Sequence, residues 1–175
     1  SGLFTGRAFA PQRTRGFGGA APKLSRLVRA GRLELGPLAL KRPFVTLMDP
    51  DQSIAMGAID GLLGLPIITL FDIATEVGPG KLWLKRNARL ATADPYARSG
   101  LWIDRTPGGI ARVTAIGGGS PAEAAGIAVG DTVASPATFD AAMRTLGDEA
   151  GREIVLKLDR GGTIIDKRLV LADYL

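Results

Sequence analysis

Carboxylates are among the side chains of this sequence that could take part in catalysis. The 175 residues include no histidine and no cysteine, which excludes a Ser-His triad, a thiolate nucleophile and the usual zinc sites. Two aspartates that share one proton can activate water for hydrolysis. The aspartates lie at positions 49, 51, 60, 72, 94, 104, 131, 140, 148, 159, 166 and 173.

Positive charge is concentrated at the start of the chain. Residues 1–49 hold nine Lys/Arg against Glu34 and Asp49, a balance of +7, so the remaining residues carry −2 of the net +5. Such a segment could attract nucleic acid or anionic lipid. Its arginines lack the interleaved aromatics that stack on bases, so we favour a solvated surface and expect no nucleic-acid partner.

No cofactor and no membrane span are expected. The residues that usually ligate zinc are absent. No apolar run approaches the ~20 residues that cross a bilayer.

The segment 117–131 carries the most specific local pattern. Ser120 predicts a helix N-cap that is followed by proline, and Glu123 completes a capping box. Gly126 predicts a left-handed end to this helix after little more than one turn. The strand predicted for 111–116 comes before it, and a Gly-Asp turn follows.

The words Ser-Pro-Ala-Glu-Ala-Ala-Gly and Val-Gly-Asp in this segment resemble a PDZ domain of the bacterial type, and the resemblance covers residues 99–175. It implies that peptide or protein C-termini, or unfolded polypeptide, add as a strand beside a carboxylate-binding loop. The peptide-binding residues that it implies are Gly100, Leu101, Trp102, Ile103, Phe139, Met143 and Leu146.

Two features qualify this resemblance. The last three of those residues share one face of a helix predicted for 137–146, a stripe that core packing would explain as well. The strand expected after Gly130-Asp131 is shortened or missing relative to the family.

The first half predicts mostly strands. Residues 1–22, centred on Gly16-Phe17-Gly18-Gly19, are expected to form a loop. The apolar run 59–72 predicts a buried strand, a tight turn and a short helix. The other predicted strands are 26–35, 38–40, 44–48, and a hairpin of 71–76 with 81–85.

These elements resemble the second part of a retropepsin-like aspartic peptidase domain. The match consists of the hairpin Leu33–Leu38, a short helix and closing hairpin within 66–84, and one structural motif. The residues of that motif are Asp60, Gly61, Leu62, Leu63 and Gly64. In the family the catalytic aspartate opens an Asp-Thr/Ser-Gly turn, and no aspartate here does so. The chain alone is therefore not expected to hydrolyse peptides.

Together the patterns predict a mainly β fold with an incomplete retropepsin-like β-barrel portion in 1–90. A linker (91–98) and a small PDZ-like β-barrel with two short helices (99–175) follow. The resemblances imply part of an aspartic endopeptidase of the bacterial envelope whose PDZ domain recruits substrates. A non-enzymatic peptide-binding scaffold is the alternative. An exposed edge in 1–90 would lead it to form a homodimer, swap strands or rest against the PDZ domain.

Overall fold

A computed structural model describes residues 7–14, 23–36, 38–47, 61–89, 96–147 and 149–175. The chain is mainly β, as predicted, with several antiparallel sheets. Its contacts divide it into two compact units, one joining residues 1–49 to 96–175 and the other spanning 50–95. This grouping differs from the sequence-based division at 91–98, which follows the two family resemblances and stays a prediction.

The described residues between 7 and 47 form two antiparallel sheets. Their strands are β1 (Ala10–Thr14), β2 (Lys23–Arg29), β3 (Arg32–Leu35), β4 (Leu38–Lys41) and β5 (Phe44–Leu47). β2 lies between β1 and β5, and β3 pairs with β4 in the predicted hairpin. The loop predicted for 1–22 is wrong at β1, because this strand pairs with β2 over its whole length. The Gly-rich centre of that loop, at 16–19, lies outside the described residues.

The unit 50–95 contributes a short helix and a hairpin. Helix α1 spans Leu65–Ile68, and strands β6 (Phe71–Glu76) and β7 (Lys81–Arg86) pair across a four-residue turn as predicted. Asp60 lies outside the described residues. Residues 61–64 form no strand, and Leu62 is 68% exposed, so the buried strand expected here is wrong for this part.

Residues 96–175 form a five-stranded sheet with two helices. Its elements are β8 (Leu101–Arg105), β9 (Ala111–Ile116), α2 (Pro121–Ala124), β10 (Thr132–Ser135), α3 (Phe139–Leu146), β11 (Glu153–Arg160) and β12 (Thr163–Val170). The strand order is β12-β11-β10-β9-β8, and every neighbouring pair is antiparallel. One face buries a core of aliphatic residues that includes Leu101, Val113, Leu146 and Leu156. The strand β10, predicted to be short or missing, is present with four residues.

Helix α2 confirms the local pattern of the sequence. The Ser120 hydroxyl oxygen accepts a hydrogen bond from the Glu123 N–H at 3.3 Å, and Gly126 ends the helix at φ 68°. The Glu123 carboxylate accepts from the Gly119 N–H at 2.7 Å. In a capping box this carboxylate would accept from the N–H of the N-cap residue, Ser120, whereas here it accepts from the residue before it. In the described part of the chain, no helix is long and apolar enough to cross a membrane.

The segment before β1 lies against three consecutive glycines, Gly117, Gly118 and Gly119. The Phe9 N–H donates to the Gly118 carbonyl at 3.1 Å. A Cβ at Gly117 would collide with the Phe9 carbonyl oxygen, and one at Gly118 would lie 2.7 Å from the Phe9 ring. The segment before β1 is therefore held against residues 96–175 by a close approach that side chains at positions 117 and 118 would prevent.

We predict that Gly117→Ala separates the N-terminal segment from the five-stranded sheet. Neither Phe9 nor its backbone can move far without loss of the bond to Gly118, so overpacking should lower the free energy of unfolding by about 1–3 kcal/mol. Hydrogen exchange at the Phe9 amide and urea denaturation measure both effects. Gly31→Ala is the control, because a Cβ there meets nothing within 4 Å. Equal protection of Phe9 in both variants would contradict the prediction.

An ion pair between a buried carboxylate and a partly exposed arginine fixes the turn into β10. The Asp131 side chain is 1% exposed and accepts hydrogen bonds from Arg160 Nε and Nη2, each at 2.7 Å, and from the Ala128 N–H at 2.9 Å. The hydrogen bonds from Arg160 hold the pKa of Asp131 below its usual value, against the opposing effect of burial. The turn is thus stabilised by the charged form of the carboxyl group.

We predict that Asp131→Ala lowers the free energy of unfolding by about 2–3 kcal/mol at neutral pH, the usual loss for charged hydrogen bonds. Because the folded pKa of Asp131 is depressed, its contribution is complete above the unfolded value of about 3.9 and disappears as the pH falls through the folded pKa. Stability of the wild type and the variant, measured between pH 2 and pH 7, should therefore converge at the acid end.

Arg168→Gln is the matched control for this prediction. It breaks the ion pair of Arg168 with Glu153, whose side chains are 72% and 49% exposed, respectively. Exposed ion pairs contribute at most about 1 kcal/mol to stability. A constant difference between wild type and Asp131→Ala at every pH would contradict the assigned role of the carboxylate.

Candidate functional site

Strand β8 lies at one end of the five-stranded sheet, and its backbone groups alternate between two directions. Gly117 N–H donates to the Gly100 carbonyl, and Val113 N–H donates to Asp131 on the far side of β9. With the pairing Ile103↔Val113, these bonds direct the backbone groups of Ile103 away from β9, because antiparallel partners alternate in this way. The same alternation turns the backbone groups of Leu101 and Arg105 outward.

This outward edge has no strand partner within the described part of the chain. Both faces of β8 are nevertheless packed. Leu101 and Ile103 are 3% and 7% exposed and belong to the core. Trp102 and Asp104 lie on the other face, towards β1, so β8 offers its edge rather than a face to any partner.

Asp104 connects that second face to the N-terminal sheet. One carboxylate oxygen accepts from Arg13 Nη2 at 2.6 Å and from the Thr114 hydroxyl at 2.9 Å, and the other accepts from the Trp102 indole N–H at 3.2 Å. The indole of Trp102 therefore points to the face opposite Leu101 and Ile103. Neither Asp104 nor Arg13 was singled out from the sequence, and no local spacing of residues links them.

Helix α3 packs beside β8. Its first residue donates its N–H to the Gly109 carbonyl at 3.1 Å. Arg105 pairs with Asp140 at 2.6 Å and lies over the Phe139 ring, with its guanidinium carbon 4.7 Å from the ring centroid. Met143 is 48% exposed, whereas Leu146 is buried in the core. We call the outward backbone groups of Ile103 and Arg105 and the outward carbonyl of Leu101, together with Phe139 and Met143, the β8 edge site.

The structure brings together most of the residues that the sequence predicted for peptide binding. Leu101, Ile103, Phe139 and Met143 lie on β8 and on the helix beside it. Leu146 lies in the core and Trp102 on the opposite face. Gly100 has φ 78°, and a Cβ there would collide with Ser120, so its lack of a side chain allows packing against α2.

The loop before β8 is closed by its own hydrogen bonds. The Gly100 N–H donates to the Ala97 carbonyl at 2.8 Å, and the Leu101 N–H donates to the Ser99 hydroxyl at 3.2 Å. Ser99 is 0% exposed, and its carbonyl accepts from the Ala122 N–H in α2. The backbone donors that the resemblance assigned to a ligand carboxylate are thus engaged within the chain.

A shallow cavity of about 440 Å³ lies near α2, separate from the β8 edge site. It is lined by Gly119, Ser120, Pro121, Ala124, Ala125, Arg168, Leu169, Val170, Ala172 and Tyr174. Burial raises the pKa of the Tyr174 phenol, whose hydroxyl donates to the Phe9 carbonyl at 3.4 Å. At neutral pH this tyrosine is therefore a neutral hydrogen-bond donor.

Several N-terminal arginines make contacts inside the compact unit. Arg29 lies over the Phe44 ring at 3.7 Å and donates to the Leu175 carbonyl at 3.1 Å. Arg26 lies over the Phe9 ring at 5.1 Å. With the Arg13–Asp104 pair, these contacts assign three of the positive charges to internal packing.

No family model, curated protein or solved structure matches the chain. In the described residues, no group of three or more His, Cys, Asp and Glu side chains is placed to hold a metal ion.

Proposed function

We propose that residues 96–175 bind extended peptides by strand addition at the β8 edge site. The single observation that carries the proposal is the edge of β8, where alternate residues direct backbone donors and acceptors away from β9. An incoming strand gains hydrogen bonds from these groups, and nearby side chains supply specificity.

The neighbouring helix supports this proposal. Met143 is half exposed on the side of α3 that also carries the half-buried Phe139. An extended ligand directs alternate side chains to one side, so apolar residues at alternate positions would contact this pair. The ion pair between Arg105 and Asp140 holds the start of α3 against β8.

The packing around β8 also favours binding. Its core face and the face towards β1 are both packed, and the Arg13–Asp104 pair at 2.6 Å joins it to the N-terminal sheet. A strand that is already ordered loses little conformational freedom when a ligand pairs with it.

The first experiment selects heptapeptides from a random display library with the full chain and measures their affinity by fluorescence anisotropy. Met143→Ala should weaken binding about fivefold, because it removes roughly 1 kcal/mol of apolar contact. Val155→Ala is the matched control, since Val155 is 50% exposed and lies on β11, at a distance from β8. Equal affinities of the two variants would show that the ligand does not bind at the β8 edge site.

Backbone pairing has its own measurement. A bound strand should slow hydrogen exchange at the amides of Ile103 and Arg105, whose N–H groups point outward, and leave the amide of Trp102 unchanged because it faces β9. Unchanged exchange at Ile103 and Arg105 in the saturated complex would contradict strand addition.

The aspartic endopeptidase is our second proposal, and it concerns the ancestry of the first half. Its support is the order of elements: the β3–β4 hairpin over Leu33–Leu38, then α1 after Gly64, then the β6–β7 hairpin. In this proposal the PDZ-like part positions substrates for an envelope peptidase, and the first half contacts a second copy. The non-enzymatic scaffold is the alternative that describes the present sequence, which has no Asp-Thr/Ser-Gly.

We predict that the chain binds its selected peptide without cleaving it. Aspartic peptidases need two carboxylates that share a proton, and the turn that carries them is absent from this sequence. Mass spectrometry of the peptide after incubation between pH 4 and pH 7 should show the intact mass. Cleavage that persists after repurification would refute the non-enzymatic alternative.

A further inference from the structure

We infer that the β8 edge site takes internal segments of extended polypeptide chains and does not require a free C-terminal carboxylate. The inference rests on the proposed strand addition and names the class of ligand. It departs from the C-terminal ligands that the sequence suggested, because the groups that would hold a carboxylate are already hydrogen-bonded within the chain.

The backbone donors nearest to the start of β8 are the first part of the argument. The Gly100 N–H is 2.8 Å from the Ala97 carbonyl oxygen, and the Leu101 N–H is 3.2 Å from the Ser99 hydroxyl. Ser99 is 0% exposed. A carboxylate that displaced this hydroxyl would leave a buried polar group without its partner, which costs free energy.

The arginine of this loop, Arg98, is paired as well. Arg98 Nε is 2.8 Å from a carboxylate oxygen of Asp173, and Asp173 also accepts a hydrogen bond from the Tyr96 hydroxyl at 3.4 Å. A ligand carboxylate at this end would compete with a carboxylate of the chain. Arg98 is therefore already paired with a carboxylate of the chain at this end of β8.

The loop itself is closed to a ligand end. Gly100 is buried, and the space where its Cβ would lie is occupied by Ser120 and approached by the Tyr174 hydroxyl at 3.3 Å. The outward groups of Ile103 and Arg105 begin two residues farther along. A ligand can therefore pair along the edge of β8, but the loop before β8 offers no free backbone N–H group to its C-terminal carboxylate.

The test uses two random heptapeptide display libraries, one ending in a free carboxylate and one embedded between fixed flanking sequences, selected with the full chain. Binders should emerge from both. The best sequence is then synthesised as a free acid and as a C-terminal amide, and the ratio of their dissociation constants is measured. We expect a ratio of about 1, whereas a held carboxylate would favour the acid at least about tenfold, since charged hydrogen bonds are strong.

The outcomes separate the two proposals. Enrichment from the free-carboxylate library alone, or a tenfold preference for the acid, would keep peptide binding and overturn this inference. Enrichment from neither library would overturn the proposed function itself. Met143→Ala should weaken the acid and the amide by the same factor, and a loss confined to one form would show that the two occupy different sites and also overturn the inference.

Discussion

The packing of β8 on both of its faces is the constraint on which the functional interpretation depends. Leu101 and Ile103 close the core on one side, and Asp104 binds Arg13 of β1 on the other. A strand covered in this way can recognise a partner only through its edge. A ligand that adds to an edge gains most of its affinity from backbone hydrogen bonds, and side-chain contacts supply specificity. The site should therefore select for an extended backbone more than for a particular side chain.

The same constraint explains the role of the N-terminal segment. This segment carries much of the positive charge of the chain, yet three of its arginines contact aromatic rings or carboxylate and carbonyl oxygens within the unit. Arginine suits such positions, because its planar guanidinium stacks on rings while it donates several hydrogen bonds. The segment thereby packs against β8, and these three arginines contribute to packing within the unit.

Local signals in the sequence predicted the elements that depend on neighbouring residues. The cap at Ser120, the left-handed end at Gly126 and the hairpins β3–β4 and β6–β7 are set by residues a few positions apart. Strand β1 was not predicted, because its stability comes from pairing with β2 and Ala10–Thr14 shows no alternation of apolar and polar residues. Gly117 and Gly118 accommodate Phe9, a residue more than a hundred positions away, and no local pattern predicts such a contact.

The candidate site also has a part that could be predicted from the sequence and a part that could not. Resemblance placed Leu101, Ile103, Phe139 and Met143 on two adjacent elements, since a motif carries the order of elements with it. It could not show that the Ser99 hydroxyl would accept from the Leu101 N–H, because a single buried hydroxyl changes which donors are available without changing the pattern of the motif. The chemistry of a backbone site is decided by which donors stay free, and in this chain those donors begin at Ile103, past the loop where a C-terminus would have to be held.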